Sequence, residues 1–263
     1  MARLQLRWRP GQHLYLRFMA LGVHGLTTHP FAVCSIPEGD SSCLVFHTKP
    51  RGGITGWLAN MARKQPGITV PLFVEGPYGG VPRRWDEGFD KTIVIAGSAG
   101  AGFSVGLVED WLCRERNGNS KNSNRNSLQV VVSSRDPGMR RWFIDTINRL
   151  AEKYASTGRL QDVHIALHKT GQRVGPDPSQ YEKKQEGIVH EPAIDISFKL
   201  EQADLPSIIR EAERKASHIG VAVCGPSSMA HDVATACGAE QRQTPQGREG
   251  AVEVWLHQEA FTN

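Results

Sequence analysis

The sequence predicts two domains of different fold class: an antiparallel β-barrel followed by a doubly wound parallel sheet with helices. Up to about residue 85, short segments of alternating polarity are separated by Gly and Pro, which is typical of antiparallel sheets. After Trp85, continuous apolar runs alternate with amphipathic helical segments, which favours a parallel sheet. The 263 residues suffice for two domains of ordinary size, and we expect them to span 1–86 and 87–263.

Four strands and one helix are predicted for the first domain. The alternating segments lie at residues 4–8, 13–18, 42–47 and 69–74. The helix is predicted from Thr55, whose hydroxyl can cap the first turn.

The second domain is predicted to contain at least four buried strands. The predicted strands lie at residues 92–96, 128–133, 163–167 and 220–224, with a helix through 105–112 and an amphipathic helix at 142–150. Residues 117–126 and 171–191 are rich in polar residues, Gly and Pro or charge, and are predicted to be loops. This alternation of strand and helix is the pattern of a doubly wound sheet.

Composition and charge exclude several classes of protein. The hydrophobic share is 39%, which is typical of a globular chain, and no run of about 18 apolar residues predicts a membrane span. With 31 basic and 27 acidic residues and no basic arm, we expect no nucleic-acid partner. Five cysteines without a CxxC pair favour free thiols in a reducing compartment. His164 and His168 would be about 13 Å apart along a strand, so no metal site is expected.

A glycine-rich turn is the strongest local motif. Gly97, Gly100 and Gly102 lie directly after a buried strand and before a helix. Without side chains, the backbone can approach a diphosphate, and the helix N-terminus supplies N–H donors. The motif departs from the strict GxGxxG pattern, so a tight strand-to-helix connection without a ligand is the alternative.

A second turn follows the last predicted strand. Cys224, Gly225 and Pro226 precede a helix that Ser227 or Ser228 can cap. This places a thiol at the carboxyl end of a strand, where doubly wound sheets bind ligands. A buried structural cysteine is the alternative.

Two motifs in the first domain also fit a cofactor. His29 and Phe31 offer an imidazole and a ring surface, although a lone histidine is more often structural. Gly53 and Thr55 stand at a predicted helix start, where backbone N–H groups can bind an anion.

Taken together and in order, these segments resemble the FAD and NADPH module of ferric-chelate reductases and NADPH oxidases, fungal ferric reductases in particular, within the ferredoxin-reductase superfamily. The segments that carry the resemblance are Pro10-Gly11-Gln12-His13, His29-Pro30-Phe31, Gly53-Ile54-Thr55, Glu75-Gly76-Pro77-Tyr78-Gly79, Gly97 to Phe103, Cys224-Gly225-Pro226 and Glu259-Ala260-Phe261.

The resemblance implies that the barrel binds FAD. It assigns the isoalloxazine and ribityl contacts to the segment that contains His29, Pro30, Phe31, Val33 and Ser35. It assigns the FAD pyrophosphate to Gly53 and Thr55.

The resemblance also implies that the second domain binds NADPH. The expected contacts are Gly97, Ser98, Gly100, Gly102, Phe103, Gly225, Pro226 and Met229. Arg135 matches the position that reads the adenosine 2′-phosphate, with a solvated surface arginine as the equal alternative. Two residues are implied in catalysis: Cys224 beside the nicotinamide and Phe261 near the flavin ring.

The sequence departs from the family pattern in three places. Ala32 stands where the family usually has Ser or Thr to bond flavin N5. The chain ends in Phe261-Thr262-Asn263 rather than in the usual covering aromatic residue. Relative to the family, we expect the haem-bearing membrane helices to be missing, and the chain to start so late that the first strand of the barrel is lost or shortened, which would leave an open edge.

The resemblance therefore implies electron transfer from NADPH through FAD to haem and ferric chelates, on the cytosolic side of a membrane. The electron acceptor itself is not identified by the sequence. The alternatives are an oxygen-reducing NADPH oxidase module and a truncated remnant without activity. Membrane association and haem would belong only to the missing domain.

Overall fold

The computed structural model describes residues 6–19, 27–38, 43–83, 85–114, 126–171, 194–243 and 253–259. These residues form a three-stranded antiparallel sheet and a six-stranded parallel sheet, so the predicted fold class is confirmed. The last strand of the first sheet ends at Gly79 and the first strand of the second begins at Lys91. The domain boundary at residues 86 and 87 stays a prediction within this interval.

The first sheet has the strand order β2-β1-β3 and packs against one helix. Its elements are β1 (Gln12–Phe18), β2 (His29–Ala32), α1 (Gly53–Lys64) and β3 (Leu72–Gly79). In β1, buried Leu14, Leu16 and Phe18 alternate with partly exposed residues, as predicted from the sequence. The buried set packs with Ile54 of α1, so the helix covers the apolar face of the sheet.

Two predicted strands of the first domain are wrong where the structure describes them. Residues 6–8 and 43–47 form no strand, although both alternate in polarity; residues 4, 5 and 42 lie outside the described residues. Only one backbone–backbone hydrogen bond is described at Val45: the Cys34 amide donates to its carbonyl. The Ser35 side chain makes the other contacts, accepting from the Val45 amide and donating to the Cys43 carbonyl. Alternation alone therefore does not produce a strand when no neighbouring ladder is available.

The second sheet has the strand order β7-β6-β5-β4-β8-β9, and all its strands are parallel. Its elements are β4 (Lys91–Gly97), α2 (Ala101–Leu112), β5 (Ser127–Ser134), α3 (Pro137–Lys153), β6 (Val163–Lys169), β7 (Asp195–Lys199), α4 (Leu205–Glu213), β8 (His218–Cys224), α5 (Ser227–Gln243) and β9 (Glu253–Glu259). The four strands predicted from apolar runs are present, and each extends beyond the predicted range. The edge strands β7 and β9 were not predicted.

The strand order reverses direction between β4 and β8. From β4 the chain adds β5, β6 and β7 on one side, then crosses back to place β8 and β9 on the other. In doubly wound sheets, ligands bind at the carboxyl ends of strands at such a reversal. The carboxyl ends here are Gly97 and Cys224, which are the two turn motifs found in the sequence.

Helix α2 lies between the two sheets. A Cβ atom on Gly11 would stand 2.6 Å from the ring of Phe103, and one on Gly102 would stand 2.8 Å from Cys34 Sγ. Both glycines therefore allow the helix to approach the first domain closely. Phe103 is completely buried in this contact.

Candidate active site

The two turns at the carboxyl ends of β4 and β8 interlock. A Cβ atom on Gly97 would lie 2.7 Å from Pro226 Cδ, and one on Gly100 would overlap the carbonyl oxygen of Cys224. A Cβ on Gly225 would meet Met229 Sδ at 2.7 Å. The glycines therefore allow the two turns to pack closely. This packing supports the alternative given in the sequence analysis, that the motif is a tight strand-to-helix connection.

The first turn also leaves a helix N-terminus open to a ligand. Ser98 adopts a left-handed φ of 48° and begins a short 3₁₀ turn that continues into α2. Among the described residues, no side chain caps this turn or α2. Uncapped N–H groups at a helix start can donate to a phosphate.

A cleft of about 520 Å³ opens at these turns. Five of the sequence-predicted residues line it: Gly97, Ser98, Arg135, Pro226 and Met229. The remaining lining residues are Lys49, Arg51, Ser133, Ser134, Asp136, Thr170, Gln202, Ala203, Leu205, Pro206, Ser228 and Asp232. The cleft therefore joins the ends of β4, β5 and β8 with a segment of the first domain.

Arg135 extends from the end of β5 into solvent at this cleft. The next residue, Asp136, is the N-cap of α3 and accepts hydrogen bonds from the amides of Gly138 at 2.8 Å and Met139 at 3.3 Å. The other carboxylate oxygen lies 2.7 Å from Lys49 Nζ. The hydrogen bond from Lys49, with the smaller contribution of the helix amides, lowers the pKa of Asp136.

A second helix start lies at the first domain. Helix α1 begins at Gly53, two residues before the predicted start, and Thr55 is not its N-cap. The Thr55 hydroxyl instead accepts a hydrogen bond from the Arg51 amide at 2.9 Å. A Cβ atom on Gly52 or Gly53 would meet nothing within 4 Å, so the space over this helix start is open. The site fits a diphosphate by the same N–H chemistry.

Several predicted flavin contacts use their side chains for packing. Phe31 is 8% exposed and lies edge-on to the rings of Phe18 and Phe46, so its ring is not an open stacking surface. Val33 is also buried. These two side chains form core because β2 and the segment after it face α1 and the apolar side of β1.

The other residues predicted in this segment have polar neighbours. The His29 Nε2 lies 3.0 Å from the Thr27 hydroxyl, and Pro30 and Ala32 are partly exposed. The Ser35 hydroxyl donates to the Cys43 carbonyl at 3.0 Å. The structure therefore places this segment together, with His29 and Pro30 accessible and Ser35 occupied by a local hydrogen bond.

Cys224 is completely buried at the end of β8. Burial, with a smaller effect of the nearby Glu259 carboxylate, raises the pKa of its thiol well above the usual range, so the thiol stays protonated at neutral pH. All five cysteines lie in the described ranges and are free. The packing of Cys224 against Gly100 supports the structural reading of this residue, and its predicted role beside the nicotinamide stays a prediction.

Glu259, at the end of β9, connects the second sheet to the first. Its carboxylate accepts a hydrogen bond from the Gly80 amide at 3.0 Å and lies 3.4 Å from both His13 Nδ1 and His257 Nε2. Burial favours its protonated form, but the hydrogen bonds from His13, His257 and Gly80 outweigh burial and lower its pKa to about 2. Phe261, predicted to act near the flavin, lies outside the described residues.

Sequence reasoning missed several cleft residues. Lys49 and Arg51 precede the Gly53 motif, but nothing in the sequence shows that they reach the ends of β4 and β5. Thr170 and Gln202 follow strands, and Ser228 was recognised only as a possible helix cap; none of these signals shows that the three residues meet in one cleft. Their convergence is a property of the tertiary structure.

Comparisons with known proteins agree with this architecture. A family model described as an FAD-binding domain matches residues 1–82, and one described as a ferric reductase NAD binding domain matches residues 89–238. The chain belongs to the ferric reductase family. It is an oxidoreductase module whose cofactors are FAD and a nicotinamide dinucleotide, and the cofactor prediction is confirmed in these terms.

Individual relatives of this ferric reductase module are longer proteins. A probable cell surface ferric reductase, kap2 of Aspergillus oryzae, is 30% identical over 181 residues, which is 64% of this chain and 22% of the relative. NADPH oxidase 1 of Mus musculus is 23% identical over 265 residues, which is 95% of this chain and 41% of the relative. The chain therefore spans less than half the length of these relatives.

Solved structures share the fold at low identity. The cytochrome P450 reductase GcoB of Amycolatopsis aligns with a TM-score of 0.52 at 18% identity, covering 98% of this chain and 62% of that one. A ferredoxin-NADP+ reductase of Plasmodium falciparum aligns with a TM-score of 0.51 at 10% identity, covering 98% and 84%. These matches support the two-sheet architecture.

Within the described ranges, no three His, Cys, Asp or Glu side chains group in a way that could hold a metal ion. None of the helices described combines the length and apolar character that a membrane crossing requires.

Proposed function

We propose that this module transfers electrons from NADPH through FAD to a one-electron acceptor, as a ferric-chelate reductase does, at the cytosolic face of a membrane. The observation that carries the proposal is the cleft at the β4–β8 reversal. An uncapped helix start at Ser98 and the exposed Arg135 line the same cleft. These are the donors that a dinucleotide with a phosphorylated ribose requires.

The preference for NADPH over NADH is assigned to Arg135. Within the described part of the chain its guanidinium has no ion pair, so it is available to an anion. A guanidinium binds a phosphate through two parallel hydrogen bonds. Gly97 and Ser98 would hold the pyrophosphate, because both line the cleft at the start of the 3₁₀ turn.

The flavin site is assigned to the first domain. The open helix start at Gly53, with the Thr55 hydroxyl in its first turn, would hold the FAD pyrophosphate. His29 and Pro30 on β2 would contact the rest of the cofactor. Both are partly exposed, unlike Phe31 and Val33, which would contribute through their backbone.

The reaction asks little of ionisable side chains. FAD, when bound, supplies the conversion of hydride transfer to single-electron transfer. The chain positions the cofactors. The packed turns at Gly100 and Cys224 shape the dinucleotide cleft, and the contact of Glu259 with His13 holds the second sheet against the first. In this proposal Cys224 shapes the floor of the site and does not transfer a proton, because its thiol is buried and protonated.

An NADPH oxidase-like module, with oxygen as the acceptor, is the second candidate. It is supported by the similarity to mouse NADPH oxidase 1, which covers 95% of the chain. Both candidates use the same cofactor sites and differ only in the acceptor. A third possibility, a module that folds without turning over, makes the opposite prediction for every assay of electron transfer.

The test uses the full chain purified with excess FAD. Flavin binding is followed by the protein-bound absorbance, and NADPH and NADH oxidation are compared with a dye, a ferric chelate or oxygen as the acceptor. We expect bound FAD and faster dye and ferric reduction with NADPH than with NADH. Oxygen as the preferred acceptor would favour the oxidase candidate. A chain that binds neither FAD nor NADPH would overturn the proposal.

A further inference from the structure

A segment of the first domain lies across the N-terminus of α3 in the second. The His47 ring stacks on Trp142 with centroids 3.7 Å apart and planes 13° from parallel. Two residues later, Lys49 Nζ lies 2.7 Å from Asp136 Oδ2. These two contacts hold the segment at the cleft, beside Arg135.

Asp136 is needed to cap α3, but its carboxylate also places a negative charge in the cleft. Its Oδ1 caps the helix through the amides of Gly138 and Met139. Its neighbour in sequence, Arg135, is the residue assigned to the 2′-phosphate. A carboxylate at this place would repel a phosphate group, because like charges within a few ångströms destabilise each other.

Lys49 resolves this conflict. Its ammonium neutralises the outward oxygen of Asp136 without disturbing the oxygen that caps α3. Arg51, from the same segment, adds a further cation to the cleft wall. With Lys49 in place the basic side chains at the cleft outnumber the acidic ones, which are Asp136 and Asp232.

We propose that Lys49, a residue of the flavin domain, determines coenzyme preference together with Arg135, by neutralising Asp136 so that a 2′-phosphate can bind. The proposal deepens the proposed function and rests on its assignment of the cleft to NADPH. Under this proposal both domains contribute residues to the coenzyme cleft. The segment that contains Lys49 continues through Arg51 to Gly53, where the FAD pyrophosphate is proposed to bind.

Binding measurements on the full chain test this without relying on turnover. The probes are 2′-phospho-AMP and 5′-AMP, which differ only in the 2′-phosphate that the first carries and the second lacks, with titration calorimetry as the readout. For Lys49→Ala we expect about fivefold or greater loss of affinity for 2′-phospho-AMP at low salt, and the loss should shrink as salt screens the charges. Binding of 5′-AMP should change less than twofold. Lys49→Met, which keeps the aliphatic stem, should behave like Lys49→Ala.

Two variants make the test specific. Lys64→Ala removes the same charge from an exposed position at the end of α1, outside the cleft, and should leave both affinities unchanged. The double variant Lys49→Ala/Asp136→Asn should recover most of the 2′-phospho-AMP affinity. It removes the unpaired carboxylate, and asparagine remains a good N-cap. A merely structural role of Lys49 predicts no such recovery.

The outcomes separate this proposal from the proposed function. If Arg135→Ala lowers 2′-phospho-AMP affinity and Lys49→Ala does not, the role of Lys49 is wrong and the NADPH assignment stands. If neither variant discriminates between the two probes, the NADPH assignment itself is wrong. Equal losses for both probes in Lys49→Ala, or no recovery with Asp136→Asn, would also overturn the role of Lys49.

Discussion

The carboxylate of Glu109, on α2, accepts a hydrogen bond from the backbone amide of Ile36 at 3.1 Å. Glu109 is 5% exposed, and its other oxygen accepts from Lys153 Nζ at 2.8 Å. Lys153 also pairs with Glu38, next to the same segment of the first domain. One buried carboxylate thus ties the helix that follows the glycine-rich turn to both α3 and the first domain.

Loss of this carboxylate should loosen the contact between the domains. We expect Glu109→Ala to lower the free energy of unfolding by about 1–3 kcal/mol, because it leaves the buried Ile36 amide without its acceptor and removes one of the two carboxylates that Lys153 contacts. Urea unfolding followed by tryptophan fluorescence measures the change. Glu152→Ala, an exposed position on α3, is the control and should change stability by less than about 0.5 kcal/mol.

Coenzyme selectivity should depend on Arg135. Arg135→Ala is expected to weaken the binding of NADPH by about ten- to a hundredfold, because a charged hydrogen-bonded pair is lost, and to change the binding of NADH little. Steady-state KM values for both coenzymes provide the measurement. Arg141→Ala, an exposed arginine further along α3, should keep the wild-type ratio. If Arg135→Ala weakened NADPH and NADH equally, Arg135 would have no phosphate role.

The glycines of the first turn should differ in their tolerance of a methyl group. A Cβ on Gly100 would overlap backbone at Cys224, whereas one on Gly102 would meet the Cys34 sulfur at 2.8 Å. We therefore expect Gly100→Ala to lower the free energy of unfolding by roughly 1–3 kcal/mol, the usual cost of an overpacked site. Gly102→Ala should lower it by less. Thermal unfolding in the presence and absence of NADPH gives both stability and binding.

A second substitution at Cys34 distinguishes the two sites. Cys34→Ala removes the sulfur that a methyl group at residue 102 would meet, so it should relieve Gly102→Ala in the double variant. It should do nothing for Gly100→Ala, where the obstacle is a carbonyl oxygen. Relief at both positions would contradict this account of the turn.

Thiol reactivity should follow burial. Cys34, Cys224 and Cys237 are buried, and burial raises the pKa of Cys34 and of Cys237 to about 11. A raised thiol pKa leaves less of the reactive thiolate at pH 8. We expect maleimide labelling of the native protein, mapped by mass spectrometry, to modify exposed Cys43 first and these three only after unfolding. Rapid native labelling of Cys224 would instead indicate an accessible thiol at the site.

Acid stability should depend on Glu259. Its folded-state pKa is about 2, below the ordinary value of 4.5, so its contribution is present above about pH 4.5 and is lost as the pH falls towards 2. Relative to Glu259→Gln, the wild type should be more stable by up to about 3 kcal/mol at pH 6. Urea midpoints between pH 6 and pH 3 should show this difference shrinking. A difference that is constant with pH would mean that the charge is not responsible.

The central part of the fold follows directly from the sequence. The runs around Val94, Val131 and Val221 are buried on both faces, so they are largely apolar and identify β4, β5 and β8; β6 is recognisable from buried Val163, Ile165 and Leu167, although His164 is exposed. The edge strands are less buried: β7 has no buried position and β9 has two, so neither carries the long apolar run that identifies the central strands. The alternation at residues 43–47 had the opposite effect, because it predicted a strand where the structure has none.

The candidate site, like the fold, has residues that the sequence revealed and residues that it did not. Turn residues such as Gly97 and Pro226 were recognisable because a strand, a turn and a helix are consecutive in the sequence. Phe31 was interpreted as a surface for the flavin, since the sequence does not show that Phe18 and Phe46 enclose its ring. Lys49 was missed because it is 87 positions from Asp136, its partner in the cleft. Such distances in the chain are bridged only by the tertiary structure.

The placement of residues 47–51 against α3 bears on how such modules can be recombined. A hybrid enzyme joined between residues 79 and 91 would exchange complete sheets and leave every strand ladder intact. It would nevertheless exchange one wall of the coenzyme cleft, because Lys49 and Arg51 travel with the flavin domain. Hybrids between relatives should therefore inherit part of their coenzyme preference from the flavin-side parent.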